Sequence, residues 1–438
     1  MMELHKDLFS KKQWEIITTN NKYKQVIAAA GSGKTRTVIG YTMFSIENDF
    51  NANKILLLTF SKKACEELMH RFPESYHRYI EVRTFHAFCY HYIKQYHPVY
   101  SKYKFNILTD DLKEQFLKEV LEKNPVITFG IPYPILLRNF NKIQSYLPDL
   151  YQFLNRELLN YKKKFYYLEF EDLISMIING LEKNEFWIEP LKNNYKHIIV
   201  DEFQDTDPEQ MKFLTILKPE KLFIVGDDWQ TIYGFRGATV IPILKFKSFF
   251  KRTKIFKLNE NYRSLEPIVN TGNIVIAKSS KKSIKKVKSI RGNILKIPVL
   301  GYLLEYYKNY NFIVELIHKY QGMILVRSNY RRKFWLKKGV SEKQIMTIHK
   351  SKGLEFPVVF IDISKGWSGE RNLTDEEIRI LYVAITRAQN LCIILINTEI
   401  NTLESFIYKQ LLNNQLLIVK EDLLIRSLEK EFDYRLTA

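Results

Sequence analysis

The segment Ala28-Ala29-Ala30-Gly31-Ser32-Gly33-Lys34-Thr35 sets small residues ahead of a lysine and a hydroxyl, an order suited to holding phosphate. Gly31 and Gly33 permit close backbone approach, so that N–H groups can face phosphate oxygens. Lys34 can reach the β- and γ-phosphates, and the Thr35 hydroxyl can bind Mg²⁺. Ala28 stands where the general pattern has its first glycine. A second element, His197-Ile198-Ile199-Val200-Asp201-Glu202, reads as a buried strand ending in two carboxylates. Asp201 suits the Mg²⁺ shell, and Glu202 is placed to orient or deprotonate an attacking water. The chemistry these residues imply is hydrolysis of a nucleoside triphosphate.

Such a loop requires a strand before it and a helix after it. Short apolar runs alternate with helical stretches at Gln25 to Ala30, Ile55 to Phe60, His197 to Val200, Leu222 to Val225 and Lys254 to Leu258, the rhythm of a parallel α/β sheet. A second set at Met323 to Val326, Val358 to Ile363 and Leu391 to Ile396 predicts another α/β unit. Between roughly residues 105 and 190, within the first set, Asp110 to Lys123 and Phe170 to Leu181 show apolar spacing of three and four, which predicts a helical insert. The expected division is therefore 1–105 with 190–255 as a first domain, 106–189 as the insert and 256–438 as a second domain. No internal repeat is apparent in the sequence.

Over 438 residues, 67 Lys and Arg outweigh 48 Asp and Glu, and the formal charge of +19 favours a polyanionic partner such as nucleic acid. Lys278 to Arg291 is especially basic and reads either as a phosphate track or as a solvated face. The longest apolar runs are too short to span a bilayer, and the start lacks an apolar signal core, so the expected location is intracellular and no membrane partner is expected. The three cysteines, Cys65, Cys89 and Cys392, are too far apart for a paired-ligand zinc site and are expected to be small buried hydrophobes.

Two long strings, Asp201-Glu202-Phe203-Gln204-Asp205-Thr206 and the run from Val225 to Ala238 that contains Gln230-Thr231-Ile232-Tyr233-Gly234-Phe235-Arg236, resemble the UvrD/Rep/PcrA-like superfamily 1 helicases. Further matches follow in family order: Gln13, Leu58 to Ala64, Thr84-Phe85-His86, Asn261-Tyr262-Arg263-Ser264, Met346 to Glu355 and Leu381 to Ala388. The resemblance implies two RecA-like P-loop domains with parallel sheets, a helical insert in the first, and ATP with Mg²⁺ in the cleft between them. By motif match, Gln13 would read adenine, Arg36 and Tyr262 would sandwich its ring, and Glu355 would approach the ribose or phosphates. Gln230 would sense the γ-phosphate, and Arg263 and Arg387 look like arginine fingers.

A motor of this family grips single-stranded DNA without reading it, and aromatic rings can do so because every base has a π-face. Phe60, Tyr233 and Phe235 are the expected platforms, Phe235 standing where many relatives carry Trp. Thr84, His86, Arg236, Thr347 and His349 are backbone contacts by the same resemblance. The interval from Arg263 to Thr347 is too short for the large accessory subdomain of relatives, which suggests a stripped-down motor, constitutively active or governed by a partner. The string Gly366-Trp367-Ser368-Gly369 departs from the family pattern, and the tail is expected to complete the second lobe with helix. The implied function is ATP-dependent 3′ to 5′ helicase or translocase activity on single strands and their junctions with duplex. The alternatives are a translocase that strips proteins without efficient unwinding and a basic scaffold with a lapsed ATP site.

Overall fold

The computed structural model describes residues 5–48, 54–128, 130–138, 140–365, 367, 374–396 and 416–437. Two six-stranded sheets organise the chain. The first contains β1 (Tyr23–Ala28), β2 (Ile55–Thr59), β3 (Ile80–Thr84), β4 (His197–Val200), β5 (Lys221–Gly226) and β6 (Lys254–Leu258), ordered β3-β2-β4-β5-β1-β6. The second contains β7 (Val299–Leu303), β8 (Met323–Val326), β9 (Ile345–Thr347), β10 (Phe356–Asp362), β11 (Ala388–Ile396) and β12 (Leu416–Ile418), ordered β9-β8-β10-β11-β7-β12. Every pairing in both sheets is parallel.

Taken in chain order, the strands of each sheet fill the same sequence of places, so the second sheet repeats the topology of the first. The sequence conceals this duplication because the two sets of loops carry different chemistry. Four strands also escaped the apolar reading. Ile80–Thr84 carries Glu81 and Arg83, Val299–Leu303 is interrupted by Gly301, and Ile345–Thr347 and Leu416–Ile418 are only three residues long.

Both sheets are covered on both faces, the arrangement that lets a parallel strand be continuously apolar. Along β2, Leu56 and Leu58 enter a core with Phe88, Ile177, Ile198 and Val200, while Ile55 and Leu57 face the opposite core with Val38, Tyr41 and Ile199. Leu325, Val359 and Ile361 of the second sheet share one buried apolar cluster with Ala29, Ala30, Trp229 and Ile232 of the first lobe, where Trp229 meets Tyr382 edge-on. The lobes therefore share an apolar floor beneath the cleft.

The insert has a separate core in which Leu117, Leu121, Leu150, Leu154 and Leu158 come together. Its expected last helix, Phe170–Glu182, instead buries Leu173, Ile174, Ile177 and Leu181 against the first sheet. The first sheet runs to Leu258, beyond the expected boundary at 255, because β6 pairs with β1 along its whole length. The tail supplies the strand β12 as well as the helix Glu421–Thr437. Cys89 and Cys392 are buried and Cys65 half-buried. Among the described residues no helix is long and apolar enough to cross a membrane. Apart from Trp367, the string at Gly366 to Gly369 lies outside the described residues.

Because the insert has its own core, Leu154→Ala should cost about 2 to 5 kcal/mol locally. Hydrogen exchange should accelerate between Leu108 and Leu158 while affinity for nucleotide stays within about twofold of the parent. Equal acceleration throughout the first sheet would show that the two cores melt as one.

Candidate nucleotide and strand-binding site

The cleft is built from loops that leave the C-terminal ends of strands. After β1, the residues from Ala29 turn into the helix Lys34–Asn48, with Gly31 at φ +66° and Gly33 at φ +80°. These are left-handed angles that favour glycine. A Cβ on Gly33 would stand 2.5 Å from Gln13 Nε2, and one on Gly31 would stand 2.6 Å from Arg263 Cβ. The loop is thus pressed between the first helix of its own lobe and the chain leading into the other. Asn261 Nδ2 donates to Ala30 O at 2.8 Å, and Tyr262 N donates to Gly31 O at 2.9 Å.

Gln13 is buried and engaged at both ends. Its Oε1 accepts from Ser10 N at 2.9 Å in a capping box, and its Nε2 donates to Ser32 O at 3.3 Å. Ser32 Oγ closes the loop on Ala29 O at 2.8 Å. Arg36 lies 5.8 Å from the ring of Phe9, a neighbour the sequence reading did not single out. Tyr262 remains 43% exposed, with its hydroxyl donating to Glu260 at 2.6 Å. Its ring is therefore open to stacking.

Asp201 directly follows β4 and accepts from Glu202 N at 2.8 Å. Burial, then the neighbouring charge of Glu202, pushes the Asp201 carboxyl above the usual carboxylate range. Burial opposes ionisation of Glu202 too, but Lys34, Lys352 and the Gln204 amide outweigh it and hold this carboxyl below its usual range. Glu202 also adopts φ +51°, a strained setting for a residue with a side chain. Two acids beside Lys34, one of them short of cationic partners, form a donor set that suits a hard divalent cation with Thr35 and phosphate oxygens completing the shell. Among the described residues no group of three or more His, Cys, Asp or Glu is arranged so as to hold a metal ion by itself.

The second lobe reaches into this site. Arg387, at 1% exposure, donates from Nη2 to Gln230 Oε1 at 3.2 Å, from Nη1 to Leu354 O at 3.1 Å and from Nε to Val383 O at 3.0 Å. Burial and the nearby Arg263 bring its guanidinium down to about 9. Arg263 pairs with Glu355 at 2.5 Å, so both proposed fingers are at the cleft and both have protein partners. Gln230 Nε2 donates to Asp227 Oδ2 at 2.6 Å.

Two lysines outside the expected set also cross the cleft. Lys352 Nζ contacts both oxygens of Asp205 at 2.6 Å and donates to Gln230 O at 2.8 Å, while lying 4.9 Å from the Tyr233 ring. Lys285, expected on a phosphate track or a solvated face, is instead buried against Asp227 and Asp228. Lys352 and Asp205 lie within strings that the sequence reading had marked. Lys285 was hidden among lysines whose spacing gave no sign that one points inward.

Among the residues expected to contact a strand, Phe60 stacks on Tyr233 with centroids 4.8 Å apart and planes 20° apart. Tyr233 donates to His349 O at 3.3 Å, and His349 Nε2 lies 3.2 Å from Ile232 O. Phe235 is 67% exposed and meets the His349 ring edge-on at 5.5 Å. Arg236 follows in the same short turn, and its side chain lies outside those described. Thr84 and Thr347 cap the helices that follow β3 and β9, accepting from Ala87 N and Lys350 N. His86 and His349 thus occupy matching places in the repeated topology. His86 also faces Phe170 edge-on at 5.9 Å, and burial lowers its pKa.

Residues 9–129 and 134–251 match the UvrD/REP helicase N-terminal domain, and residues 331–399 match the UvrD-like helicase C-terminal domain. The chain is 28% identical to a probable DNA helicase of Mycoplasma pneumoniae, over 87% of its own length and 82% of the relative's. It is 30% identical to the putative ATP-dependent DNA helicase YjcD of Bacillus subtilis, covering 66% of this chain and 41% of that protein. It is 28% identical to the ATP-dependent DNA helicase PcrA of Staphylococcus epidermidis, over 63% and 41% respectively. The chain therefore spans less than half the length of the latter two.

Gly33→Ala should add roughly 1 to 3 kcal/mol of backbone strain and displace Gln13 from Ser32. Lower melting temperature together with loss of binding to a fluorescent ATP analogue is the expected result. Retention of both would mean that the loop can relax around a methyl group.

Proposed function

The chain belongs to the UvrD/REP helicase family, and from that premise we propose that it hydrolyses ATP to move 3′ to 5′ along single-stranded DNA and to open duplex at junctions. The observation that carries this reading is the bond from Arg387 of the second lobe to Gln230 of the first. A site whose cations come from two lobes can complete itself only when the lobes close, which makes turnover and relative motion one event.

In this reading the backbone from Gly31 to Thr35 cradles the phosphates and Lys34 neutralises the β- and γ-oxygens. Thr35 and Asp201 would hold Mg²⁺, which would supply further neutralisation of those oxygens. Glu202, kept ionised by Lys34 and Lys352 and braced by Gln204, accepts the proton of the attacking water. Arg387 and Arg263 exchange their present partners for phosphate oxygens, drawing the second lobe inward. Tyr262 and Arg36 hold the base from opposite sides, with Gln13 reading its edge and Glu355 near the ribose.

The strand lies across Phe60, Tyr233 and Phe235, with backbone contacts from Thr84, His86, Arg236, Thr347 and His349. Gln230 and Tyr233 share one short loop, so displacement at the phosphate moves the stacking platform. The structure also favours a second reading, protein displacement without efficient unwinding. The described residues between Arg263 and Thr347 build the helix Glu266–Ala277, β7, the helix Tyr310–Lys319, β8 and the helix Asn329–Lys337 of the second lobe, with no accessory subdomain among them. Such a motor would depend on a protein partner for strand separation.

Single-stranded DNA should stimulate ATP turnover, and binding should weaken as salt rises because phosphate contacts release counterions. Equal turnover with and without the strand would refute the motor. Displacement from duplexes with 3′ tails tests both unwinding and polarity, and activity only with 5′ tails would reverse the assigned direction.

Arg387→Ala should reduce stimulated turnover by roughly 10³ to 10⁵ with a smaller effect on nucleotide affinity. A loss below about tenfold would remove it as a finger. Phe235→Ala should weaken single-strand binding by about 1 to 3 kcal/mol, measured by fluorescence anisotropy. Unchanged affinity would exclude a stacked base there.

A further inference from the structure

The basic stretch after the helix Glu266–Ala277 forms a strap between the lobes. Its root is fixed to the second lobe. Asp375 accepts from Ser280 N at 2.9 Å, Ser280 Oγ at 2.8 Å and Lys281 N at 3.1 Å, and Arg379 donates to Lys281 O at 2.7 Å. Its tip is fixed to the first lobe. Ser283 donates to Asp228 from N at 2.6 Å and from Oγ at 2.7 Å, Trp229 Nε1 donates to Ser283 O at 3.2 Å, and Lys257 Nζ donates to Ile284 O at 2.7 Å.

From this tip Lys285 turns inward. Its side chain is fully buried, with Nζ bonded to Asp227 Oδ1, 3.0 Å from Asp228 Oδ1 and 4.5 Å from the centre of the Trp229 ring. Asp227 divides its carboxylate. One oxygen takes Lys285, and the other takes Gln230 Nε2 at 2.6 Å, while Asp227 N donates to Gln204 Oε1 at 2.8 Å. Gln204 in turn donates to Glu202. An unbroken polar path thus runs from Lys285 through Asp227 to both Gln230 and Glu202.

We propose that Lys285 is a positioning residue for ATP hydrolysis: it fixes the Asp227 carboxylate and through it the amide of Gln230, beside the Asp227 backbone N–H that holds the carboxamide bracing Glu202. This rests on the reading of the cleft as an ATPase site. Lys285 touches neither nucleotide nor water itself. Its part is to make the second lobe hold the sensing loop through an acid, while Arg387 holds the other end of the same glutamine. A free Asp227 could rotate toward Lys34 and take Gln230 with it, leaving nucleotide bound but its γ-phosphate unsensed.

A charge buried without its partner can unfold a protein, so the informative change is paired. Lys285→Gln combined with Asp228→Asn removes one buried cation and one buried acid and leaves Asp227 intact. The double variant should melt closer to the parent than Lys285→Gln alone and keep the KM for ATP within about twofold, yet lose at least about tenfold in strand-stimulated kcat. A merely structural lysine would give recovery of stability and of kcat together. Ser283→Ala is the milder probe, removing only the strap's hydroxyl bond, and should lower kcat about twofold to fivefold at unchanged KM. Parental kcat in whichever of these variants folds would overturn the assignment of Lys285 alone. A parent chain without strand-stimulated turnover would overturn the ATPase reading itself, a result distinguishable from the first.

Discussion

Acidic groups gathered at the floor of one cleft must be neutralised, and the first lobe does not do this from its own residues alone. Asp201, Glu202, Asp205, Asp227 and Asp228 all arrive there from loops of the first lobe, beside Lys34. The second lobe answers with Lys285 on Asp227 and Asp228, Lys352 on Asp205 and Arg387 on Gln230. Separating the lobes would leave buried carboxylates with too little positive charge, a state far costlier than a lost surface ion pair. The lobes are held together by the same electrostatics that ready the cleft for a polyphosphate with its metal ion.

The repeated topology brings two sets of loops to one cleft. In parallel sheets, loops at the C-terminal ends of strands form the binding edge. Two such edges face each other here. The loop after β1 contributes the phosphate cradle, whereas the edge strands β3 and β9 each end in a threonine that caps a helix bearing a histidine two residues later. Beside the second of these turns, Tyr233 and Phe235 meet His349, and Phe60 stacks on Tyr233. The loop after β1 has no counterpart, because the chain after β7 lacks a Gly-Ser-Gly-Lys-Thr string, whereas the ends of β3 and β9 keep traces of the repeat.

The sequence was most informative where chemistry constrains adjacent residues. The loop through Lys34, the acids at Asp201 and Glu202 and the apolar strands around them could all be read directly, because phosphate binding and double-sided burial demand contiguous patterns. The repeat was not legible. Its evidence is the order of strands, and strands such as Ile80–Thr84 and Leu416–Ile418 carry charge or are too short to announce themselves. Lys285 was unreadable for a related reason: among several neighbouring lysines, only three-dimensional contact distinguishes the one aimed at Asp227. The helix Phe170–Glu182 was recognised as a helix yet assigned to the insert, since an apolar face states that it must be covered but not by what.

The charge balance also explains why nucleotide would be felt as motion. Gln230 is engaged at both ends, by Asp227 at Nε2 and by Arg387 at Oε1, and Arg263 is occupied by Glu355. A γ-phosphate entering beside Lys34 competes for the same arginines and offers more negative charge than a neutral amide does. Arg387 can turn to it only by relaxing its hold on Gln230, while Lys285 keeps Asp227 and the root of the loop in place. The part of the loop left to move is therefore the part beyond Gln230, which is where Tyr233 stacks on Phe60 and Lys352 lies against the tyrosine ring. A loop pinned at its start and released at its middle transmits displacement to its far end, and that end carries the aromatic platform.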